Sequence, residues 1–257
     1  MNIIVCIKQT FDTEAKIVLN DNGDIDDRSV IKIVNPYDEY AVEEAIRLKE
    51  RHGGEVTVVT VGEENSRQAL QHCLAMGVDR AVLVTDPLVQ SPDGHTYAII
   101  LAALLRTMEY DLILCGRESI DTGDGQVPSR LAQILDLPQI NVVSRLEIAN
   151  GNVKATRDIE GGSEHVESSR PCVISVQKGI NEVRYPSLRL IMRAKKMPID
   201  RYSLDDLSLT TDEVKPFLGV ETYIFPETRK EGVRLTGETG DVVTQLIRHL
   251  RDEYRIL

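Results

Sequence analysis

Tryptophan is absent from this chain of 257 residues, and aromatic residues of all kinds make up only 4% of it. Proteins that bind single-stranded nucleic acid usually present several aromatic side chains on which the bases stack. The net charge of -11 also disfavours contact with the phosphates of DNA or RNA. We therefore expect no nucleic-acid partner.

Long apolar runs are missing as well. No stretch approaches the roughly 20 apolar residues that span a membrane. The segment from Met1 to Lys8 lacks the basic start and the small-residue cleavage site of a secretory signal, so we interpret it as a first β-strand. We expect no membrane insertion and a cytoplasmic location.

Cysteine is sparse, and so are catalytic motifs. The four cysteines lie far apart and form no CxxC pair, which disfavours a zinc site and thioredoxin-like chemistry. We predict reduced, mostly buried thiols at Cys6, Cys73, Cys115 and Cys172. No HExxH frame and no GxSxG motif is present. A cofactor carrier is thus favoured over an enzyme that uses its own acid–base side chains.

Strand and helix patterns alternate through the first 135 residues or so. Apolar β-rich runs predict strands at 2–8, 56–61, 81–85 and 112–115. Apolar residues at helical spacing, or cap and stop residues, predict helices at 37–51, 65–75, 97–108 and 127–135. Four such alternations predict an α/β fold with a doubly wound, mostly parallel sheet.

The pattern changes after Pro138. We predict an appended antiparallel strand meander at 141–148, 152–158, 164–168 and 171–177, with a hairpin turn at Asn150-Gly151. From residue 198 the chain is rich in proline, charge and threonine and has little periodicity, until an amphipathic helix at 241–251. We predict an α/β domain at 1–197 and an extended C-terminal arm at 198–257 that ends in a helix and needs a surface to lie against.

One loop is suited to hold a phosphate. Doubly wound sheets bind ligands beyond the carboxyl ends of their strands, and the strand that ends at Cys115 leads through the glycine-rich segment from Gly116 to Pro128 into a helix. Backbone amides in such a loop can cradle a phosphate. The loop matches neither GxGxxG nor GxxxxGK[ST], which disfavours dehydrogenase-type and P-loop sites. Asp121 and Asp124 leave open a metal, a ribose or a helix cap.

A basic segment at 181–196 is unusual on this acidic chain. Its cations are Arg184, Arg189, Arg193, Lys195 and Lys196, and its interleaved apolar residues are Leu188, Leu190, Ile191 and Met192. Two interpretations remain open. The segment is either an amphipathic helix packed on its own domain, or an exposed docking element in which steering charges surround an apolar anchor.

Several segments together resemble the beta (small) subunits of electron-transfer flavoproteins. In chain order, the similar segments are Asn35–Ala45, Ala75–Arg80, Leu137–Gln139, Ala155–Ser175 and Asn181–Lys196. The resemblance implies a heterodimer in which a larger alpha subunit carries one FAD. It also implies that the beta chain holds a second nucleotide in its α/β crevice.

The resemblance implies which residues hold this nucleotide. They are Cys6, Asn35, Val61, Asp121, Thr122, Gly123, Asp124, Gly125, Gln126, Val127 and Ser129. In electron-bifurcating members the nucleotide is a second FAD, which accepts a hydride from NADH. In respiratory members it is AMP, a structural ligand. The pair Gln126-Val127 resembles the bifurcating type, so we favour FAD and keep AMP as the alternative.

The resemblance also implies a docking site for a flavin-dependent dehydrogenase, such as an acyl-CoA dehydrogenase. Leu188 would be the anchor that inserts into this partner. The docking residues would be Leu188, Arg189, Ile191, Met192, Lys195 and Lys196. Arg189 stands where proline is common in the family. A nucleotide-binding sensor module of similar topology, which needs no alpha subunit, is the alternative from another functional class.

Overall fold

The computed structural model describes residues 1–26, 30–227 and 231–257. These residues form two compact units, Met1–Glu221 and Thr222–Leu257. The boundary predicted between residues 197 and 198 falls inside the first unit, because Asp200–Tyr202 adds an edge strand to the sheet of that unit.

The first unit contains eleven strands among the described residues, and nine of them form one sheet. In chain order the strands are β1 (Asn2–Cys6), β2 (Gln9–Phe11), β3 (Lys32–Val34), β4 (Glu55–Val61), β5 (Arg80–Val84), β6 (Leu112–Gly116), β7 (Gln139–Ala149), β8 (Asn152–Ile159), β9 (Gly162–Ser168), β10 (Cys172–Val176) and β11 (Asp200–Tyr202). The order across the sheet is β11-β5-β4-β1-β6-β10-β7-β8-β9, while β2 and β3 form a separate antiparallel ribbon. All pairs from β11 to β7 are parallel, and β8 and β9 are antiparallel.

Helices cover both faces of the parallel part of the sheet. They are α1 (Pro36–His52), α2 (Arg67–Met76), α3 (Gly94–Leu105), α4 (Val127–Leu135) and α5 (Leu188–Ala194), with 3₁₀ turns at Glu64–Ser66 and Asp205–Leu207. Successive strand residues face opposite sides, so Ile3 packs in one buried core with α1 and α2, and Ile4 packs in another with α3 and α4. Burial on both faces explains the unbroken apolar runs and confirms the predicted doubly wound sheet.

The predicted meander is confirmed for β7, β8 and β9, but the assignment of 171–177 to it is wrong. Strand β10 lies between β6 and β7 and is parallel to both. Every residue from Cys172 to Val176 is buried. A strand that is buried on both faces needs apolar residues throughout, which is typical of the inside of a parallel sheet and not of a half-exposed meander.

The second unit contains one regular element among its described residues, the helix α6 (Thr239–Arg248), which continues as a π-helical turn at His249–Glu253. Its apolar side chains Val243, Leu246 and Ile247 are exposed within this chain. The helix predicted at 241–251 is therefore present.

The cysteines and the longest apolar helices agree with the sequence analysis in different ways. All four cysteines lie in the described part of the chain, and all are free and buried, as predicted. Over residues 1–26, 30–227 and 231–257, no helix combines the length and the apolarity needed to cross a lipid bilayer.

Helix α1 begins where the two central strands end. The buried carboxylate of Asp38 accepts hydrogen bonds from the backbone N–H of Lys8 (2.7 Å), just after β1, and of Gly116 (3.0 Å), the last residue of β6. The connection after β1 leads to one side of the sheet and the connection after β6 to the other. Asp38 thus joins the strands at the topological switch point, where such sheets bind their ligands.

Replacing Gly116 by alanine should destabilise the fold. An added Cβ would collide with Asp38 Oδ1 and lie 2.8 Å from the backbone carbonyl carbon of Tyr37. We expect this overpacking to lower the free energy of unfolding by about 1–3 kcal/mol, as measured by urea denaturation. Gly162→Ala is the control, because a Cβ there meets no atom within 4 Å. Equal losses in the two variants would contradict this account.

Candidate functional site

A crevice of about 770 Å³ lies beyond the carboxyl ends of β1, β4 and β5. Its walls come from the segments 8–11, 61–66, 84–87 and 89–92, together with Lys32, Tyr97 and Asp121. Its position is the one at which doubly wound sheets bind ligands. Its volume lies within the range of about 300–1,000 Å³ that is usual for small-molecule sites.

Lys8 links the crevice to the glycine-rich loop. Its Nζ atom is 2.8 Å from Asp121 Oδ2 and 5.2 Å from the centre of the Tyr97 ring. The ion pair neutralises Asp121, whose charge would otherwise repel a phosphate. Burial and the nearby carboxylates of Asp121, Glu63 and Asp124 raise the pKa of Tyr97, so its phenol is protonated at neutral pH and can donate a hydrogen bond.

Asn35 shapes the start of the glycine-rich loop. Its Nδ2 donates to the carbonyl oxygen of Glu118 (2.8 Å), and its Oδ1 accepts from the N–H of Ile120 (3.2 Å). The residue is almost completely buried. Both polar atoms of the Asn35 side chain therefore bond to the loop, and Asn35 lies beside the point where the loop begins.

The loop then turns through two left-handed glycines, Gly123 (φ 64°) and Gly125 (φ 59°), a conformation that glycine adopts without strain. Gln126, the residue before the helix α4 that follows, makes no capping side-chain hydrogen bond within the described part of the chain. The Gln126 side chain instead accepts two hydrogen bonds from the Arg130 guanidinium, at 2.9 and 2.7 Å. The helix-cap interpretation of Asp121 and Asp124 gains no support among the described residues, where Asp121 pairs with Lys8 and Asp124 with the Thr122 hydroxyl. The free N–H groups in the first turn of α4 are therefore suited to bind an anion.

The residues predicted to hold a nucleotide gather around the ends of β1, β4 and β6. Val61 and Asp121 line the crevice. Cys6 is buried in β1, in register with Cys115 of β6. The remaining predicted residues form the loop and the first turn of α4 next to Asp121, and they are Thr122, Gly123, Asp124, Gly125, Gln126, Val127 and Ser129. The Ser129 hydroxyl accepts from Asn141 Nδ2 at 3.1 Å.

A metal site at Asp121 and Asp124 gains no support from the structure. The described residues contain no group of three or more His, Cys, Asp or Glu side chains that could hold a metal ion. Asp121 is paired with Lys8. Asp124 lies close to Gly94, where an added Cβ would be 2.8 Å from its Oδ2.

Sequence reasoning identified the loops of the crevice but missed several of its side chains. The ribbon of β2 and β3 brings Thr10, Phe11 and Lys32 to the crevice, and Lys32 Nζ is 5.9 Å from the Phe11 ring centre. Among the residues that the structure describes, the buried Thr10 hydroxyl has no hydrogen-bond partner. A buried polar group without a partner needs an explanation, and a ligand group in the crevice would supply one. No local signal predicts the ribbon, because its strands are three residues each and pair across about twenty residues of chain.

The predicted docking residues lie on and after α5. The helix is capped by Ser187, whose hydroxyl accepts from the N–H of Leu190 (3.4 Å). Ala194 is buried, and Ile191 packs against the core beside it. Leu188 is 77% exposed and Met192 54% exposed. The cations Arg189, Lys195 and Lys196 are also exposed. One side of the helix therefore packs on its own domain, as the first interpretation predicted. The other side is exposed, and its docking role stays a prediction.

Comparisons with known proteins relate most of this chain to electron transfer flavoproteins. A family model described as "Electron transfer flavoprotein domain" matches residues 23–207. The protein named "Electron transfer flavoprotein subunit beta" of Bacillus subtilis (strain 168) is 43% identical over 258 residues, which cover 100% of both chains. The protein of the same name from Syntrophomonas wolfei is 38% identical over 257 residues, covering 100% of this chain and 98% of its own. "Protein FixA" of Azotobacter vinelandii is 35% identical over 231 residues, covering 87% of this chain and 82% of its own.

Asp38 should make stability depend on pH. Burial raises its pKa to about 7, although the hydrogen bonds that it accepts act in the opposite direction. Its pKa in the unfolded chain is near 3.8. As the pH rises between these values, the unfolded chain loses a proton that the folded chain keeps, so stability falls through this window and levels off above about pH 7.

Asp38→Asn removes this titration. We define the difference as the free energy of unfolding of the unmodified chain minus that of the variant. It should decrease from about pH 4 to about pH 7, by at most roughly 1.4 kcal/mol per pH unit, and level off above that. Urea denaturation at several pH values measures this difference. Glu167→Gln, on the exposed strand β9, is the control and should give a flat difference. A flat difference for Asp38→Asn as well would refute the assignment.

Proposed function

This chain belongs to the beta subunits of the electron transfer flavoproteins, and we propose that it binds FAD in its crevice and passes electrons between flavin and a partner dehydrogenase. A beta subunit of this family implies an alpha subunit as its partner. We propose that the alpha subunit carries a second FAD, and that NADH reduces the flavin of the beta subunit, as in electron bifurcation.

The observation that carries the nucleotide proposal is the crevice beyond the ends of β1, β4 and β5, to which the glycine-rich loop before α4 contributes Asp121. The first amides of α4 and the loop at Gly123 and Gly125 are suited to phosphate oxygens. Lys8 supplies a cation beside the loop, and the Thr10 hydroxyl, which has no partner among the described residues, supplies a donor in the crevice wall. We assign the phosphates to this loop and the remainder of the ligand to the crevice.

The size of the crevice favours FAD over AMP. Its volume of about 770 Å³ lies in the upper part of the usual range for small-molecule sites, which suits a dinucleotide better than a mononucleotide. When bound, FAD would supply hydride acceptance and electron transfer. The residues of this chain would orient it, with Phe11 and Tyr97 as aromatic walls and the protonated Tyr97 phenol as a donor.

AMP is the alternative, and it would make the chain part of a non-bifurcating electron shuttle. Its support is the sparse aromatic lining, since Phe11 and Tyr97 are the aromatic residues among the described walls of the crevice. The sensor module is disfavoured, because it needs no alpha subunit. It explains neither the whole-length similarity to beta subunits nor the exposed apolar side of α6.

We propose that the second unit, Thr222–Leu257, lies against the alpha subunit. Its helix α6 exposes Val243, Leu246 and Ile247. An amphipathic helix gains stability mainly by burying its apolar side, so this row needs a partner surface. The family supplies that partner in the alpha subunit.

The nucleotide proposal is tested by counting cofactors. The chain should be purified together with its alpha subunit, and FAD and AMP should be quantified after denaturation. We expect one FAD for each subunit and no AMP, and we expect NADH to bleach the flavin absorbance. AMP in place of the second FAD would overturn the FAD assignment and support the shuttle.

The variant Lys8→Met tests whether the nucleotide binds in the crevice. Lys8→Met should lower the nucleotide content of the beta subunit, because it removes a cation and leaves Asp121 uncompensated. Lys154→Met, at an exposed position of β8, is the matched control and should retain full content. Equal content in both variants would remove Lys8 from the site.

We propose that the open side of α5 docks the partner dehydrogenase. Leu188 and Met192 offer an apolar contact, and Arg189, Lys195 and Lys196 surround it with positive charge. An apolar anchor within a charged rim is typical of protein interfaces. Positive charge on this otherwise acidic chain also favours the approach of an acidic partner surface.

Leu188→Ala should slow electron transfer to the dehydrogenase by about tenfold or more, the effect of truncating an interface anchor. The cofactor content should remain intact, because Leu188 does not line the crevice. Stopped-flow measurement of flavin reoxidation or reduction against increasing dehydrogenase gives the rate. Ile159→Ala, at the exposed end of β8, is the control. Unchanged transfer in Leu188→Ala would exclude this docking role.

A further inference from the structure

The residues just before the docking helix are bound to α1 by a cluster of charged and polar groups. We call this segment, Asn181–Arg184, the strap. Arg184 is at its centre. The guanidinium donates to both carboxylate oxygens of Glu43 (2.8 and 3.1 Å) and to both of Glu50 (2.7 and 3.2 Å). The backbone N–H of Arg184 adds a bond to Glu43 at 3.2 Å.

Glu43 is a buried acid at the centre of this cluster. Its side chain is only 2% exposed, and a buried carboxylate is costly unless cations and donors surround it. Burial alone would raise the pKa of Glu43, but the hydrogen bonds from Arg184 and Arg47 hold the pKa below its ordinary value. Glu43 is therefore ionised at neutral pH. Arg47 also donates to the carbonyl oxygen of Glu182 (2.9 Å), a second link to the strap.

The strap is held at its other end by Asn181. Its Nδ2 donates to the carbonyl oxygen of Tyr40 and to Glu44 Oε2, both at 3.0 Å. Asn181 and Glu44 are buried. The strap is thus fixed to α1 at both ends, while Tyr185, the next residue, is 97% exposed.

Helix α1 therefore contacts both proposed functional regions. Its start, through Asn35 and Asp38, holds the loop and strand ends beside the crevice. Its later turns hold the strap, and α5 begins at Leu188, a few residues beyond Arg184. At 1.5 Å per residue, a 17-residue helix is a rod of about 25 Å. A rigid helix that contacts both regions would keep the spacing between the cofactor and the docking surface constant.

We propose that Arg184 is a positioning residue, whose guanidinium bridges Glu43 and Glu50 and thereby fixes α5 and Leu188 relative to the crevice. This inference rests on the proposed docking role of Leu188. By sequence, Arg184 belongs to the basic cluster around the docking element. In the structure two carboxylates neutralise it, so its role differs from that of the exposed steering cations.

Arg184→Met, examined in the complex with the alpha subunit, tests the proposal. Amide hydrogen exchange should become faster at residues 185–196 and stay unchanged in the loop at 117–129. The KM for the dehydrogenase should rise about 5- to 20-fold, because binding must then order the docking element. The value of kcat and the cofactor content should not change.

Two further variants separate positioning from charge. Arg184→Lys keeps the charge but cannot bridge two carboxylates with a planar fork, so it should give an intermediate KM and intermediate exchange. Arg193→Met removes a charge from the same segment and should leave the exchange at 185–196 unchanged. An effect of steering charge fades as salt screens it, whereas the Arg184→Met effect should persist at high salt.

Unchanged exchange at 185–196 in Arg184→Met would overturn the proposal, as would faster exchange with an unchanged KM. If Arg184→Met fails to fold, Glu50→Gln provides the measurement, because it leaves the Glu43 pair intact. It should give a smaller change of the same kind, and no change would count against the proposal. Failure of the docking role is distinguishable, since Leu188→Ala would then leave transfer intact while hydrogen exchange still reports on the strap.

Discussion

The buried carboxylate of Asp38 satisfies two backbone N–H groups at the centre of the sheet, one after β1 and one at the end of β6. Buried amides without acceptors are costly, and these two lie where the connections of the sheet diverge. The same two strand ends continue as Lys8, at the wall of the crevice, and as the loop that Asn35 holds. One acidic side chain therefore supports the centre of the fold and the base of the site.

Helix α1 extends this arrangement with further buried acids. Asp38, Glu43 and Glu44 are all buried, which is unusual for acidic residues unless they are paired. Arg47 of the same helix binds Glu43, and the other partners come from segments distant in the chain. These are the ends of β1 and β6 for Asp38 and the strap for Glu43 and Glu44. The acids of α1 thus face the rest of the domain and hold in place the segments that the proposed function needs.

Elements that depend on local pattern could be predicted from the sequence. The helix Val127–Leu135 has the predicted bounds, and β4 and β6 differ from prediction by one residue. Elements created by pairing could not. The short strands β2 and β11 exist because of remote partners, Gln9 opposite Val34 and Asp200 opposite Val82. Strand β10 was predicted as a strand but with the wrong neighbours, because period and composition do not encode which strands lie side by side.

The sequence by itself determined the α/β class, the alternation of strands and helices up to Leu135, the family and the glycine-rich loop, because periodicity, turn residues and motifs are properties of neighbouring residues. Only the tertiary structure decided that Lys8 pairs with Asp121, that β10 enters the parallel sheet and that Arg184 is bound by Glu43 and Glu50. Each of these contacts joins residues far apart in the chain. Their charges and hydrogen bonds acquire partners only when folding brings the ends of β1 and β6, the crevice loops and α1 together.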